Sequence, residues 1–457
     1  MTPGSEPIAV EPVGHRTHPA SAVVSAWLWL LGGAAAMLHR IGTDSTVREN
    51  LVVAGVVLGG ALLLGVGFGL VRWMYTRYVI DGSELRIDSG VVVKQSRRVP
   101  YERLQSVDIA QPLGARVLGL AELRIEMAGG GQSRTTLAFL TRSDAERLRE
   151  VLLDKSQSDA APVLDGAPLQ ESADAAGNGR ALVATVPITR LVGSLVLSTE
   201  FLLTAAIAVL TVAATVVLTV VVGGPPFAYA PLFLALVSAM YRLVVNRVVS
   251  QWGFSLARAP QGVRIERGLT SRSSQTIPRG RVQGIAIEQP LLWRRHDWRR
   301  LVVDVAGYDA TGRGDDDSDR PAASTLLPVA DKVAAGAVLA ELMPTADPDA
   351  VSLHRAPSPS RWFAPVGWRY LAAGADDHVF VTCKGWLTRR TDIVPHAKTQ
   401  SVALRQGPLE RILGLATVVV HSPDGPVKAQ GRHLAEADAR VLAADQLQRA
   451  RSARVTR

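Results

Sequence analysis

Residues 99–111 read VPYERLQSVDIAQ. Taken alone this is a short β-type segment behind a proline. Two glutamines, Gln105 and Gln111, bracket Val107 and Ile109. The chain writes the pattern again at 277–289 as IPRGRVQGIAIEQ and at 394–406 as VPHAKTQSVALRQ. The three copies align without a gap on Pro100, Pro278 and Pro395. Upstream, at one common offset, stand Gly90, Gly268 and Gly385. Downstream, each at its own common offset, stand Arg103, Arg281 and Lys398, then Gln105, Gln283 and Gln400. Gln111, Gln289 and Gln406 follow, and then Arg116, Arg294 and Arg411. The outer copies continue as Leu118-Gly119-Leu120 and Leu413-Gly414-Leu415, whereas the middle copy departs with His296-Asp297-Trp298. Agreement at fixed offsets makes this an internal repeat.

Each copy reads mostly as strand. Leu85-Arg86-Ile87-Asp88, a turn at Ser89-Gly90 and Val91-Val92-Val93 form an alternating pair of segments. The proline then breaks the ladder at a strand edge. A regular strand would put both glutamines on the inner face with Val107 and Ile109. Either a bulge intervenes or the glutamines satisfy backbone groups at the strand ends. Leu123, Ile125 and Met127 alternate with charged residues, matched by Leu301, Val303 and Val305, and by Val418 and Val420. Gly129-Gly130-Gly131 reads as the next turn. A helix closes each copy: Ser143-Asp144 starts the first, with Leu148, Val151 and Leu152 at helical spacing, and Asp331 starts the second. LAEADARVLAADQL is the third.

The rest of the chain is a membrane pattern. Of 457 residues 47% are hydrophobic, and the mean hydropathy is +0.16 with 20% charged. The apolar content therefore sits in blocks, at about 20–38, 51–71, 191–222 and 227–245. A bilayer core needs roughly 20 apolar residues as helix. The blocks pair into two hairpins, the second turning at Gly223-Gly224-Pro225-Pro226. Arg72, Arg77, Arg180, Arg190, Arg242 and Arg247 flank them on one side, which the positive-inside rule assigns to the cytoplasm. Fifty Lys and Arg against 41 Asp and Glu give a net charge of +9, which suits an anionic surface. The single cysteine, Cys383, excludes an intramolecular disulfide and reads as a small strand hydrophobe.

The glycine, proline, RxQxVxIxQ, arginine and LGL pattern, repeated beside paired membrane helices, resembles the bacterial pleckstrin-homology (PH) domain family. More specifically, it is similar to YdbS/YdbT-type multi-pass proteins that carry several such domains. The resemblance implies a mainly-β, PH-like split barrel capped by a C-terminal helix, three times over. It implies no enzyme and brings no catalytic residue. The expected order is a disordered cytoplasmic tail at 1–19, a transmembrane hairpin at 20–75, a PH-like domain at 76–155 and a linker at 156–180. A second hairpin at 181–245, a second domain at 246–345, a linker at 346–360, a third domain at 361–450 and a basic tail at 451–457 complete it. The expected architecture is four transmembrane helices and three barrels, with both termini at the cytoplasmic side of the inner membrane.

Candidate chemistry is sparse. Asp315, Asp317 and Asp319 have the first EF-hand spacings, but Arg320 and Leu326 stand where the glycine and glutamate belong, so the stretch reads as a hairpin loop. His15, His18 and His39 show no metal spacing, and no nucleophile meets a base. The expectation is no catalytic, metal or cofactor site. Trp293-Arg294-Arg295-His296-Asp297-Trp298-Arg299-Arg300 is the candidate membrane or partner surface, because tryptophan favours the bilayer interface and arginine favours anionic head groups. Trp298 aligns with Leu120 and Leu415 and reads as core; Trp293 is expected at the surface with Arg294, Arg295, Arg299 and Arg300. The aromatic run Trp362, Phe363, Trp368 and Tyr370 either docks the third domain on the membrane or is that domain's first strand. Glu200 is a candidate intramembrane polar site, with an interfacial position as the simpler reading. Expected partners are bilayer lipid and other proteins or further copies of the chain; membrane tethering disfavours nucleic acid.

Overall fold

The repeated proline ends one strand and opens a tight turn in every copy. Pro100, Pro278 and Pro395 sit in extended backbone, and 3-10 turns follow at Tyr101–Arg103, Arg279–Arg281 and His396–Lys398. Proline fixes φ near the value needed there and has no N–H to leave unpaired. The computed structural model describes residues 15–16, 18–20, 47–81, 83–90, 95–127, 134–158, 182–222, 230–260, 262–306, 324–423 and 425–455. Most of the first apolar block, the Gly129–Gly131 turn, the Gly223–Pro226 turn and the aspartates at 315–319 lie outside these residues. Two units divide the chain: 1–173 with 270–275, and 174–269 with 276–457.

In the first unit, β1 (His15–Arg16) pairs with β2 (Arg77–Ile80), which pairs in turn with β3 (Glu84–Ser89) and β4 (Gln95–Pro100). Between β1 and β2 lies α1 (Val47–Met74). β5 (Leu104–Gln111) pairs with β6 (Leu120–Met127) and β6 with β7 (Arg134–Thr141), with a short α2 (Leu113–Val117) between the first two and α3 (Arg142–Ser158) after the last. Leu85, Val99, Tyr101, Leu123, Ile125 and Leu152 are the unit's buried core. Leu148 also turns inward, whereas Val151 is exposed, so the helix presents a narrower apolar face than its sequence spacing predicts. His15–Arg16 corrects the expectation of a wholly disordered tail, because it adds a strand to Arg77 and Tyr78.

The second unit opens with β8 (Leu182–Thr185) and α4 (Ile188–Val196), followed by α5 (Thr199–Val222) and α6 (Ala230–Val244). A π-helical turn, Val245–Val249, ends α6. Then come β9 (Ser255–Ala259), β10 (Gly262–Arg267), β11 (Arg272–Pro278, of which residues 272–275 count with the first unit), β12 (Val282–Pro290), β13 (Arg299–Val305), β14 (Thr325–Ala330) and α7 (Lys332–Leu342). Asp331 caps α7 by accepting the Ala334 N–H at 2.9 Å. Residues 182–196, expected within a hairpin, instead belong to the barrel: β8 pairs with β9, and Leu191 and Leu195 enter the core.

The last copy holds β15 (His354–Arg355), β16 (Ala372–Ala375), β17 (Val379–Lys384), β18 (Thr388–Pro395), β19 (Ser401–Arg405) and α8 (Pro408–Ile412). β20 (Leu415–His421), β21 (Gln430–Ala435) and α9 (Glu436–Val455) finish it. In all three copies a leading strand pairs with the first barrel strand: β1 with β2, β8 with β9, β15 with β16. In that interval the described residues hold α1 in the first copy and α4, α5 and α6 in the second. In the third, two 3-10 turns, Ser358–Trp362 and Trp368–Tyr370, stand in that place. The aromatic run is therefore not a strand.

β12 pairs with β18 and joins the last two copies into one seven-stranded sheet. Each face of that sheet serves a different core. Ile285, Val303, Val381 and Ile393 pack with the second domain, while their neighbours Ala286, Val302, Phe380 and Val394 pack with the third.

Both readings of the glutamines hold, at different positions. The β5–β6 and β12–β13 ladders shift register between Leu104 and Ser106 and between Val282 and Gly284, which places bulges at Gln105 and Gln283. Gln111 and Gln406 donate their Nε2–H to the carbonyls of Leu120 (3.2 Å) and Leu415 (2.9 Å). The repeated Gly119 and Gly414 take left-handed φ of 69° and 64°, and Asp297 takes the same conformation at 50° in the middle copy.

Among the described residues one helix is long and apolar enough to cross a membrane, Thr199–Val221, with a mean hydropathy of 2.6 and none of its length buried. At 1.5 Å per residue it spans about 35 Å, enough for the roughly 30 Å core of a bilayer. Leu203, Leu210, Val220 and Val221 stand outward and exposed. An exposed apolar surface of this extent marks an interface with a membrane or with another protein.

Candidate functional site

The site lies where α5 and α6 meet the second barrel. Ser198 Oγ accepts the Phe201 N–H at 3.2 Å and so caps the start of α5. This fixes Glu200 in the first helical turn, exposed, rather than midway along the helix. The π-helical turn after α6 brings Arg247 back toward it, with Nη1 3.8 Å from Glu200 Oε2. Arg300, on β13, lies 3.8 Å from Glu288 Oε2 and donates to Thr325 Oγ1 at 3.0 Å. Between these elements is a cavity of about 570 Å³, lined by Glu200, Arg242, Arg247, Gln251, Arg300 and Thr325 among others. A void of about 50 Å³ adjoins it and shares Glu200, Arg247 and Arg300.

Arg247 is the most enclosed of these cations. Its guanidinium stacks over the ring of Trp293 at 5.0 Å. Burial, and then the nearby Arg300, push its pKa down to about 10, so it stays charged at neutral pH. Trp293 in turn donates its indole N–H to the Ser194 carbonyl at 3.0 Å. Arg242 has no ion-pair partner among the described residues. Gln251 is 4% exposed, and its buried Oε1 accepts no hydrogen bond there. A buried amide oxygen without a donor costs about 1–3 kcal/mol. The charges continue toward the third domain: Glu288 meets Arg390 at 2.7 Å, Arg390 meets Asp392 at 2.7 Å, and Asp392 meets Lys384 at 2.7 Å.

The expected tryptophan–arginine surface is divided. Trp293 is a correction: it is fully buried, because the 3-10 turn Leu292–His296 points it at the Ser194 carbonyl of α4. Trp298 packs partly buried against the same core, edge-on to Trp293 at 6.3 Å. Arg294 turns to the third domain, donating to the Trp386 carbonyl and facing the Tyr370 ring at 5.9 Å. Burial and the neighbouring Arg389 lower its pKa. Arg295 is exposed, Arg299 pairs locally with Asp297 at 3.4 Å, and Arg300 alone reaches the cavity.

The sequence reading missed the join between Arg300 and the helix arginines. Arg242 and Arg247 entered it only as flanking charges, although α6 places Arg242 at helical spacing from the small residues Ala235, Ser238 and Ala239. Among the described residues no three His, Cys, Asp or Glu side chains gather where they could hold a metal.

The model of the bacterial PH domain matches residues 24–156, 193–345 and 322–451, one match around each repeated proline. The UPF0699 transmembrane protein YdbT of Bacillus subtilis (strain 168) is 27% identical over 119 residues, covering 26% of this chain and 24% of that protein. The likeness thus spans about a quarter of the relative's length. Three matches that together take in most of the chain, laid over barrels built around one motif, give its family: the chain belongs to the bacterial PH domain family.

Proposed function

We propose that the chain is a non-enzymatic, multi-pass membrane protein that holds three PH-like domains at the cytoplasmic face of the cell membrane. There it serves as a scaffold for protein partners, further copies of itself or anionic lipid. The observation that carries this reading is where the helices enter. They interrupt each of the first two domains between a leading strand and its partner, β1 and β2, then β8 and β9. Such a domain is fixed to its anchor by strand pairing and not by a flexible tether. The four apolar blocks support four spans, and the flanking arginines support the orientation.

Crosslinking in native membranes, followed by co-purification, tests the scaffold. Adducts to other proteins or to a second copy should map to the PH-like domains; a chain that yields none there contradicts it. The sensor alternative expects the isolated second domain to bind anionic vesicles through Arg294, Arg295, Arg299 and Arg300. The transport alternative needs Glu200 to serve a path through the helices. Its exposure in the first turn of α5, 3.8 Å from Arg247, favours the interfacial role. Loss of a measurable flux in Glu200→Ala would favour transport instead.

A further inference from the structure

We infer that the cavity beside Glu200 binds the phosphate of an anionic membrane lipid, gripped by Arg242, Arg247 and Arg300. The inference rests on the membrane reading above and deepens its lipid branch.

The two walls of the cavity differ in kind. One is a single face of α6, where Ala235, Ser238, Ala239 and Arg242 follow helical spacing. Small side chains there leave a groove, and it runs about 10 Å from Ala235 before Arg242 closes its polar end. The other wall is the barrel, with Arg300 on β13 and Thr325 and Pro328 on β14. A ligand that fills both must be apolar at one end and anionic at the other. A soluble anion would leave the α6 groove empty.

The charge is right for phosphate. Three guanidinium groups face one lining carboxylate, Glu200. Two of them are already held in place: Arg247 by Trp293 and Glu200, and Arg300 by Thr325 and Glu288. Guanidinium groups match phosphate oxygens in geometry as well as charge. Arg242, without an acidic partner among the described residues, completes the grip. The volume of about 570 Å³ is in the range of ligand pockets.

The arginines come from α6, from the turn after it and from β13. The site therefore exists only when the helices and the barrel are assembled, and an isolated domain lacks it.

The test is native mass spectrometry of the full chain in detergent, with phosphatidylglycerol or phosphatidylcholine added. The intact chain should retain phosphatidylglycerol at least tenfold better. Arg242→Gln and Arg300→Gln should each lower that retention roughly tenfold, the effect of one lost charge-assisted contact. Arg451→Gln, on the exposed end of α9, should change nothing. Arg242 makes no ion pair that folding needs, so its variant remains informative if the Arg300 variant unfolds. Equal retention of the two lipids, or full retention by Arg242→Gln, overturns the inference. Displacement by millimolar inorganic phosphate also overturns it, in favour of a soluble anion. Lost lipid selectivity with domain crosslinks intact refutes this site alone, and the converse refutes the scaffold alone.

Discussion

The guanidinium of Arg247 lies 5.0 Å above the ring of Trp293. The first residue ends a membrane-type helix, and the second is the largest fully buried side chain of the barrel beneath. Their contact ties the helix pair to the domain. Trp293→Ala removes the stack, the core volume and the bond to Ser194, and should destabilise by about 3–5 kcal/mol. Trp386→Ala, at a 40% exposed tryptophan, should cost under about 1 kcal/mol. Denaturant unfolding of the detergent-solubilised chain measures both; a small loss for Trp293→Ala means that residue is not a core anchor.

The repeated glutamine can be tested as a backbone device. Gln406 donates to both the Leu415 carbonyl and Glu436 Oε2 at 2.9 Å. Gln406→Leu strands a carbonyl and should cost about 1–3 kcal/mol, and Gln111→Leu should behave alike. Among the described residues the Gln289 side chain has a single long, exposed contact, 3.4 Å to Asp297, so Gln289→Leu should stay within about 0.5 kcal/mol. Equal costs at all three positions would contradict a shared role confined to the outer copies.

Gly385 holds φ at 91°, and a Cβ there would meet the Thr388 carbonyl oxygen at 2.0 Å. Gly385→Ala should therefore destabilise the third domain by about 1–3 kcal/mol, read as a lowered unfolding midpoint. Gly367→Ala, with open space around it, provides the comparison.

His396 is 1% exposed, and burial, with Arg449 adding to it, holds its pKa below the ordinary 6.5. The folded state then binds this proton less readily than the unfolded state does. Its contribution to stability is present above about pH 6.5 and is lost as pH falls through the lowered value. The third domain should lose stability on acidification below pH 6.5, and His396→Gln should flatten that slope. An unchanged slope in the variant would assign the acid sensitivity to other groups.

The fold was legible where requirements are local and repeated. Proline, left-handed glycine and one-face strands such as Leu123 and Ile125 follow from backbone and core rules acting within a few residues. The leading strands were not legible, because His15–Arg16 and His354–Arg355 are too short to show a period. The shared sheet hid its second role for another reason. With Val302 and Val303 buried on opposite faces, no alternation remains to read. Trp293 misled because its neighbours are basic. The 3-10 turn and the left-handed Asp297 send adjacent side chains to different sides. Arg300 meets Arg247 only through tertiary packing, so no spacing announced the cavity.

All three domains should lie on one side of the membrane, the cytoplasmic side. Single cysteines at the exposed Ser96, Ala337 and Ser401, placed one at a time in a Cys383→Ser chain, report each domain's side. A membrane-impermeant maleimide added to intact cells should label none of them, and after lysis it should label all. Labelling of any one domain in intact cells contradicts the account.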